Sequence, residues 1–435
     1  MPIFDRTALN PGVPPREAFA WALYDFANSG YTTVVLTAVF NAYFVGVIAQ
    51  KADWASLAWA LALAVSNAAV MVSMPVIGAW ADRHAAKKRL LAWTTVGCVV
   101  FTAALAYCGR GDVALAMLVV AVSNYFFSTG EALAAAFLPE LARHEALGKV
   151  SGWAWSFGFF GGMLALGLSL AWVLSAQAAG QGAEQYVPGT MWIVAIVFAL
   201  AAAPVFFVLK ERALPRLGEP SAGSGAFNAL RATLAQARQL PDFWRFMWCG
   251  TAYFAGISVV ITLAAIYAEQ AMGFSQLQTM ILIFLVNIAA AAGAFGFGYV
   301  QDRIGHKRAL AVTLIGWIVM VLMAALTTSV AMFWLAAVIA GLCMGSSQSC
   351  GRAMVGYLAP AGQLAEFFGL WALATRLAAI IGPLVYGVVT WLTAGNHRLA
   401  ILVTGLFFVI GLWLLRSIDV QRGHVQALQA GGAIP

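Results

Sequence analysis

Twelve long apolar runs joined by short polar loops constrain this chain more than any other feature of its sequence. The first six cover roughly 18–48, 55–79, 89–108, 112–138, 148–175 and 189–209, and the second six roughly 243–270, 274–299, 308–328, 331–357, 365–393 and 397–416. Each can hold the ~20 apolar residues that a membrane helix needs. A segment in hydrocarbon must satisfy its own backbone groups, which selects helices. Only 9% of the 435 residues are charged and 62% are hydrophobic, whereas soluble domains carry about 25% charged residues. Lipid must therefore solvate most of this surface. The expected fold class is an all-α membrane protein of twelve transmembrane helices in two six-helix bundles. The expected domains are a tail (1–17), a first bundle (18–209), a linker (210–242), a second bundle (243–416) and a tail (417–435).

The net charge of +7 could suit nucleic acid, but its distribution points to the bilayer. With a cytoplasmic N-terminus, the inside loops hold Arg83, Lys87, Lys88, Arg89, Arg143, Lys149, Lys210, Arg212, Arg216, Arg231, Arg238, Arg245, Arg303, Lys307 and Arg308. The outside loops hold only Lys51, Arg110 and Arg398. This is the positive-inside pattern, and it places both termini in the cytoplasm. The start, with Asp5, Arg6, Pro11, Pro14 and Pro15, lacks the apolar run and cleavage site of a signal peptide. The linker contains Pro215, Pro220 and a Ser/Gly run at 221–225. Beyond them Phe227, Leu230, Leu234 and Ala237 recur at helical spacing opposite Arg231 and Arg238, which predicts a short helix on the membrane surface.

Cys98, Cys108, Cys249, Cys343 and Cys350 read as small apolar fillers. The histidines, His84, His144, His306, His397 and His424, lie in loops or tails away from cysteine, so no metal site is expected. No cofactor is expected either.

The two sixes share landmarks. Gly78-Ala-Trp-Ala-Asp82-Arg83 follows the second run and Gly298-Tyr-Val-Gln-Asp302-Arg303 the eighth, 220 residues later. Lys87 and Lys88 trail the first copy as Lys307 and Arg308 trail the second, and Pro139 and Pro360 close the fourth and tenth runs. Two parallel six-helix repeats are a transporter arrangement, with the solute site between them.

The Gly-x-x-x-Asp-Arg loop with trailing basic residues resembles the signature between helices two and three of the major facilitator superfamily. Gly305 fits it, whereas Ala85 stands at the matching place in the first copy, which suggests a less tight turn there. Trp21-Ala-Leu-Tyr24-Asp25-Phe-Ala-Asn28-Ser29 resembles the bacterial branch of the vacuolar amino-acid effluxer family. So do Phe137-Leu-Pro139-Glu140-Leu and Glu366-Phe-Phe-Gly369. The resemblance implies the major facilitator fold and a proton- or gradient-driven carrier of amino acids or similar solutes.

Four charged residues lie well inside apolar runs: Asp25 and Glu131 in the first half, Arg352 and Arg376 in the second. Each costs about 2.5–3.5 kcal/mol at the bilayer centre, and pairing between halves would offset much of that. Asp25 shares a helix face with Asn28 and Thr32. That stripe could bind an ammonium or a proton, or be a packing acid. Glu131 shares a face with Ser128 and Asn124, and is either a titrating, solute-binding acid or one partner of a permanent ion pair. Arg376 could grip a solute carboxylate with its fork or pair with Asp25 or Glu131. Arg352, one turn from Gln348, could contact solute or snorkel to the interface. Tyr253 and Trp371 are candidates to line the cavity. Gly341, Gly345 and Ser349 recur every four residues and predict a close-packing seam. Gly293, Gly296 and Gly298 mimic a nucleotide loop, but no strand precedes them. Gly78, Asp82, Arg83, Gly298, Asp302 and Arg303 are either positive-inside loop residues or a gate in which each acid meets a helix N-terminus of the other half.

Neither Gly-x-Ser-x-Gly, His-Glu-x-x-His nor a Walker loop occurs, so a membrane enzyme is not expected. A sensor or scaffold would need a larger soluble domain than this chain carries. A monomeric carrier of a small solute in a bacterial inner membrane is expected, with protons as coupling ion and no nucleic-acid partner. Acids in one half and arginines in the other suit a zwitterion such as an amino acid. Drug export and uptake of peptidoglycan fragments or iron chelates fit the same residues. Direction of transport is not encoded in these features.

Overall fold

The computed structural model describes residues 4–52, 54–213, 226–274 and 276–431. Pro215, Arg216, Pro220 and the Ser/Gly run lie outside them. The first half contains α1 (Pro15–Tyr31), α2 (Ala55–His84), α3 (Lys87–Ala104), α4 (Val113–Ala135), α5 (Leu147–Ala178) and α6 (Ala183–Val208). The linker forms α7 (Ala226–Arg238). The second half contains α8 (Pro241–Met272), α9 (Gln276–Ile304), α10 (His306–Leu326), α11 (Val330–Leu358), α12 (Leu364–Leu392) and α13 (His397–Arg416), followed by α14 (Val420–Ala430). Among the described residues, eleven helical segments are long and apolar enough to cross a membrane, and α8 is a further helix of 32 residues. Side chains such as Leu118, Leu200, Phe207, Trp391 and Trp413 stand exposed on the outer surface, as a lipid-facing shell requires.

Pro15 opens α1, where its missing N–H costs nothing. Beyond Tyr31 the same rod continues to Ile48 through wide π-type turns at Thr32–Ala38 and Phe44–Ile48. Such turns leave the regular hydrogen-bond ladder and cluster at functional sites.

The pairing of helices repeats. In the first half α1 packs on α5 and α6, α4 on α2 and α3, and α3 on α6. In the second half α8 packs on α12 and α13, α11 on α9 and α10, and α10 on α13. The halves meet along two seams, α2 with α12 and α5 with α9, which are the same seam seen from either repeat. Inside the second half the small-residue seam packs α11 on α9: a Cβ on Gly345 would overlap the carbonyl oxygen of Ala290. All five cysteines are free and buried.

The turn after each Gly-x-x-x-Asp-Arg sequence departs from a strict 220-residue repeat. In the first half Ala85 (φ +48°) and Ala86 separate α2 from α3, whereas Gly305 (φ +87°) alone separates α9 from α10. The extra residue lets Ala85 make the left-handed bend with a second residue before the next helix. Lys87 and Lys88 therefore take the helix positions of His306 and Lys307, not of Lys307 and Arg308.

The linker helix packs on protein rather than lying only on a membrane surface. It sits on the ends of α2 and α12. Thr233 donates to Glu366 at 2.5 Å, Gln236 and Gln363 pair through their amides, and Arg238 lies 5.2 Å from the Trp244 ring. Ala237 is buried and Leu234 half-buried, while Arg231 and Arg238 are exposed. The side chains of Phe227 and Leu230 lie outside the described ones.

Candidate functional site at the seam between the halves

Asp82 and Asp302 sit in the last turns of α2 and α9, which run on to His84 and Ile304. This corrects their assignment to loops. A carboxylate near its own helix C-terminus is unfavourably placed. Each is compensated across the seam. Asp82 Oδ2 accepts from the Glu366 N–H at 3.0 Å, at the start of α12. Asp302 accepts from the Gly148 and Lys149 N–H groups at 3.0 Å each, at the start of α5. Each acid thus fills orphan donors of a helix in the other half. The glycines make the approach possible. A Cβ on Gly78 would overlap the Ala365 carbonyl, and one on Gly298 would lie 2.7 Å from the Gly148 carbonyl oxygen. Arg83 is half-buried and Arg303 exposed.

The four charged residues inside the apolar runs form two ion pairs, each joining the halves. Arg352 on α11 meets Asp25 on α1 at 2.5 Å. Its Nε donates to Ser151 Oγ at 3.1 Å and its Nη2 to the Ser151 carbonyl at 2.9 Å. The Trp21 and Trp155 rings lie 4.9 and 5.3 Å from the guanidinium carbon. The side chains are 7% and 13% exposed. Arg352 therefore does not snorkel. Ordinary hydrogen bonds and two aromatic faces replace its water.

Arg376 on α12 meets Glu131 on α4 at 2.8 Å. This pair is open: the side chains are 20% and 40% exposed. Arg376 Nε is buried and without a hydrogen-bond partner among the described residues. The contrast is chemical. The Asp25–Arg352 pair has its donors occupied, while the Glu131–Arg376 pair keeps donor capacity and accessible carboxylate surface.

Other sequence candidates divide the same way. Asn28 is 5% exposed and both its amide atoms lack partners. Ser128 Oγ and Gln348 Oε1 are likewise unpartnered. Buried polar atoms without partners cost about 1–3 kcal/mol each, and they sit on helices that also carry the charged pairs. Asn124 donates to Ser66 Oγ at 3.0 Å and serves packing within the first half. Tyr253 and Trp371 pack inside the second half rather than facing open space. Tyr253 is fully buried beside Gly351 and Gly411 with its hydroxyl unpartnered among the described residues, and Trp371 stacks on Phe246 at 5.1 Å.

Sequence reasoning missed a set of acids that tie each half together away from the seams. Buried Glu17 accepts the Lys210 N–H at 2.8 Å and both Arg212 terminal nitrogens at 2.6 and 2.8 Å. Buried Asp242 accepts the Asp419 N–H at 2.9 Å and Arg422 Nε and Nη2 at 2.7 Å each. Glu140 pairs with Lys87 and accepts the Arg212 N–H at 3.0 Å. The signal available was positional: Glu17 and Asp242 each stand at the beginning of their half's first helix.

The family described as vacuole effluxer Atg22-like matches residues 41–428. The chain belongs to that family. The MFS-type transporter YxiO of Bacillus subtilis, itself uncharacterized, is 26% identical over 414 residues, covering 93% of this chain and 95% of YxiO. Among solved structures, the human organic anion transporter MFSD10 superposes with a TM-score of 0.74 at 18% identity, covering 92% of this chain and all of MFSD10. A bacterial homologue of the iron transporter ferroportin, in an outward-facing state, gives 0.70 at 15% identity, covering 92% and 98%. These likenesses establish the fold as that of the major facilitator superfamily. This member of the Atg22-like family is thus a multi-pass membrane transporter.

Proposed function

We propose that this chain is a secondary active transporter of amino acids or similar zwitterions, working by alternating access with proton coupling. The observation that carries the reading is the accessible Glu131–Arg376 pair, which joins the halves at 2.8 Å. A zwitterion matches an ion pair that it can enter: its carboxylate takes the planar fork of Arg376 and its ammonium takes Glu131. Asn28, Ser128 and Gln348 offer further unpartnered polar atoms for the solute and its water.

In this reading α8 is a twelfth span, both termini are cytoplasmic, and the membrane is a bacterial inner membrane. The seams with their helix-capping acids then close the cytoplasmic side. The Asp25–Arg352 pair belongs to that closure rather than to the solute, and the carrier works as a monomer.

The test is a melting-temperature screen of the purified carrier against amino acids, short peptides, drugs, peptidoglycan fragments and iron chelates at two pH values. Zwitterions raise the melting temperature of the wild type and not of Glu131→Gln or Arg376→Gln. If no zwitterion shifts it, the substrate class proposed here fails. Uptake into proteoliposomes with and without an imposed pH gradient then tests coupling.

A further inference from the structure

The loop-bearing end of the second half contains a cavity of about 850 Å³ between the α9–α10 turn, the start of α14 and the segment before α5. Three of the five histidines, distant in sequence, meet on its wall: the His144 and His424 rings lie 4.2 Å apart, and His306 stands 4.8 Å from Tyr357, which stacks on His424. The internal repeat indicates what the cavity is for.

In the first half the start of α3 is capped by a carboxylate. Glu211 Oε1 accepts the Lys87 N–H at 2.7 Å and Oε2 accepts the Lys88 N–H at 3.1 Å. The equivalent donors at the start of α10 are the N–H groups of His306 and Lys307. The surroundings fix that equivalence. Lys88 Nζ donates to the Leu209 carbonyl at 2.6 Å, as Lys307 Nζ does to the Ile418 carbonyl at 2.7 Å. The Lys210 N–H meets Glu17 at 2.8 Å, as the Asp419 N–H meets Asp242 at 2.9 Å. One residue further on, the first half has Glu211 and the second has Val420, which lines the cavity. The N-cap of α10 is Gly305, which has no side chain to offer, and no side chain among the described residues is bonded to the His306 or Lys307 N–H.

A second observation points the same way. His306 is 9% exposed. Its Nδ1 lies 2.7 Å from Gln301 Nε2, an amide nitrogen that can only donate. With Gln301 donating to Nδ1, the ring proton sits on Nε2, which has no partner among the described residues and belongs to a side chain of the cavity wall. The charged groups facing the cavity are mostly engaged. Asp302 holds the start of α5, Asp419 caps α14, Lys307 holds carbonyls and Arg422 holds Asp242. Arg308, Arg416 and Glu145 line it without an ion-pair partner among the described residues. The balance of open donors is cationic, at a helix end that favours anions.

We propose that this cavity binds an oxyanion, a phosphate or carboxylate group, held by the open N-terminus of α10, His306 Nε2, Arg308 and Arg416, in the place that Glu211 fills in the first half. His144 comes from the first half and Asp302 from the gate, so an occupant would lie across the seam and favour its closed form.

The test uses the full-length purified chain. Its melting temperature is followed against inorganic phosphate with chloride at matched ionic strength, and in nanodiscs of phosphatidylcholine with or without phosphatidic acid. Phosphate should give a saturable rise on the order of 2–4 °C, lost in the double variant Arg308→Gln, Arg416→Gln. Val420→Glu restores the missing carboxylate. It should melt higher than wild type without phosphate and no longer respond to it. A rise only with phosphatidic acid, abolished by the same variants, would assign the oxyanion to a lipid headgroup. The proposal is overturned if chloride or plain phosphatidylcholine reproduces the rise, if neither phosphate nor phosphatidic acid produces one, or if Val420→Glu responds as wild type does.

Discussion

Removing the charge from Asp302 should open the loop-bearing side by a calculable amount. Its two oxygens each accept a backbone N–H at 3.0 Å from the start of α5. Hydrogen bonds to a charged group contribute about 1.5–3 kcal/mol, against about 0.5–1.5 kcal/mol for neutral ones. The carboxylate's interaction with the end of α5 adds about 0.3–1 kcal/mol. In Asp302→Asn one oxygen still accepts, but the amide nitrogen faces the second N–H and cannot. The closed state should lose about 1.5–2 kcal/mol relative to the open one, which is roughly a 10–30-fold shift in their ratio. Asp82 works at the other seam on different donors, so Asp82→Asn with Asp302→Asn should be close to additive. The assay is alkylation of Ser349→Cys by an impermeant thiol reagent, with Cys98, Cys108, Cys249, Cys343 and Cys350 replaced by alanine. Ser349 is buried on α11, and its carbonyl accepts from Ser151 across the seam at 2.9 Å. Labelling from the loop-bearing side should accelerate by the same factor in the single variant and by a larger factor, the product of the two single effects, in the double. Equal rates in wild type, single and double variants would refute the capping argument.

Three further outcomes follow from the seam. Arg352→Leu or Asp25→Asn alone should cost about 3–5 kcal/mol by leaving a buried charge unpaired, while the double variant recovers most of it; melting temperatures of the three read this directly. Glu131→Gln should flatten the pH dependence of uptake, and Arg376→Lys, which keeps charge but loses the fork, should raise KM at least tenfold, about 1.4 kcal/mol. Gly78→Ala and Gly345→Ala should separate gating from stability. Both overpack by about 1–3 kcal/mol, but only Gly78 lies on a seam between halves, so only Gly78→Ala should speed labelling of Ser349→Cys.

The fold was legible because each span is a long run of apolar side chains and the repeat carries its own markers at Gly78–Arg83 and Gly298–Arg303. The sign of each charge inside the membrane was legible too, and so was the need for pairing. Which acid takes which arginine was not, because Asp25 and Arg352 are 327 positions apart and only the arrangement of helices decides between the possible pairs. Trp21 and Trp155 could not be singled out among 16 tryptophans before the guanidinium between them was located. The helix-capping role of Asp82 and Asp302 was anticipated from their duplication, but their place in the last helical turn was hidden by a polar sequence that reads as loop. The cavity histidines escaped because nothing along the chain relates positions 144, 306 and 424.

The paired clasps at Glu17 and Asp242 have a mechanical consequence. Each fastens the chain just past the sixth helix of a half back onto the beginning of its first, through a buried acid and a forked arginine. Each half is thereby a ring whose two ends are tied, so stress at the seam cannot fray a bundle from its termini. Such a body turns as a unit. A chain severed between Arg212 and Ala226 would leave both knots intact, and the two pieces would still meet along the same pair of hinged edges.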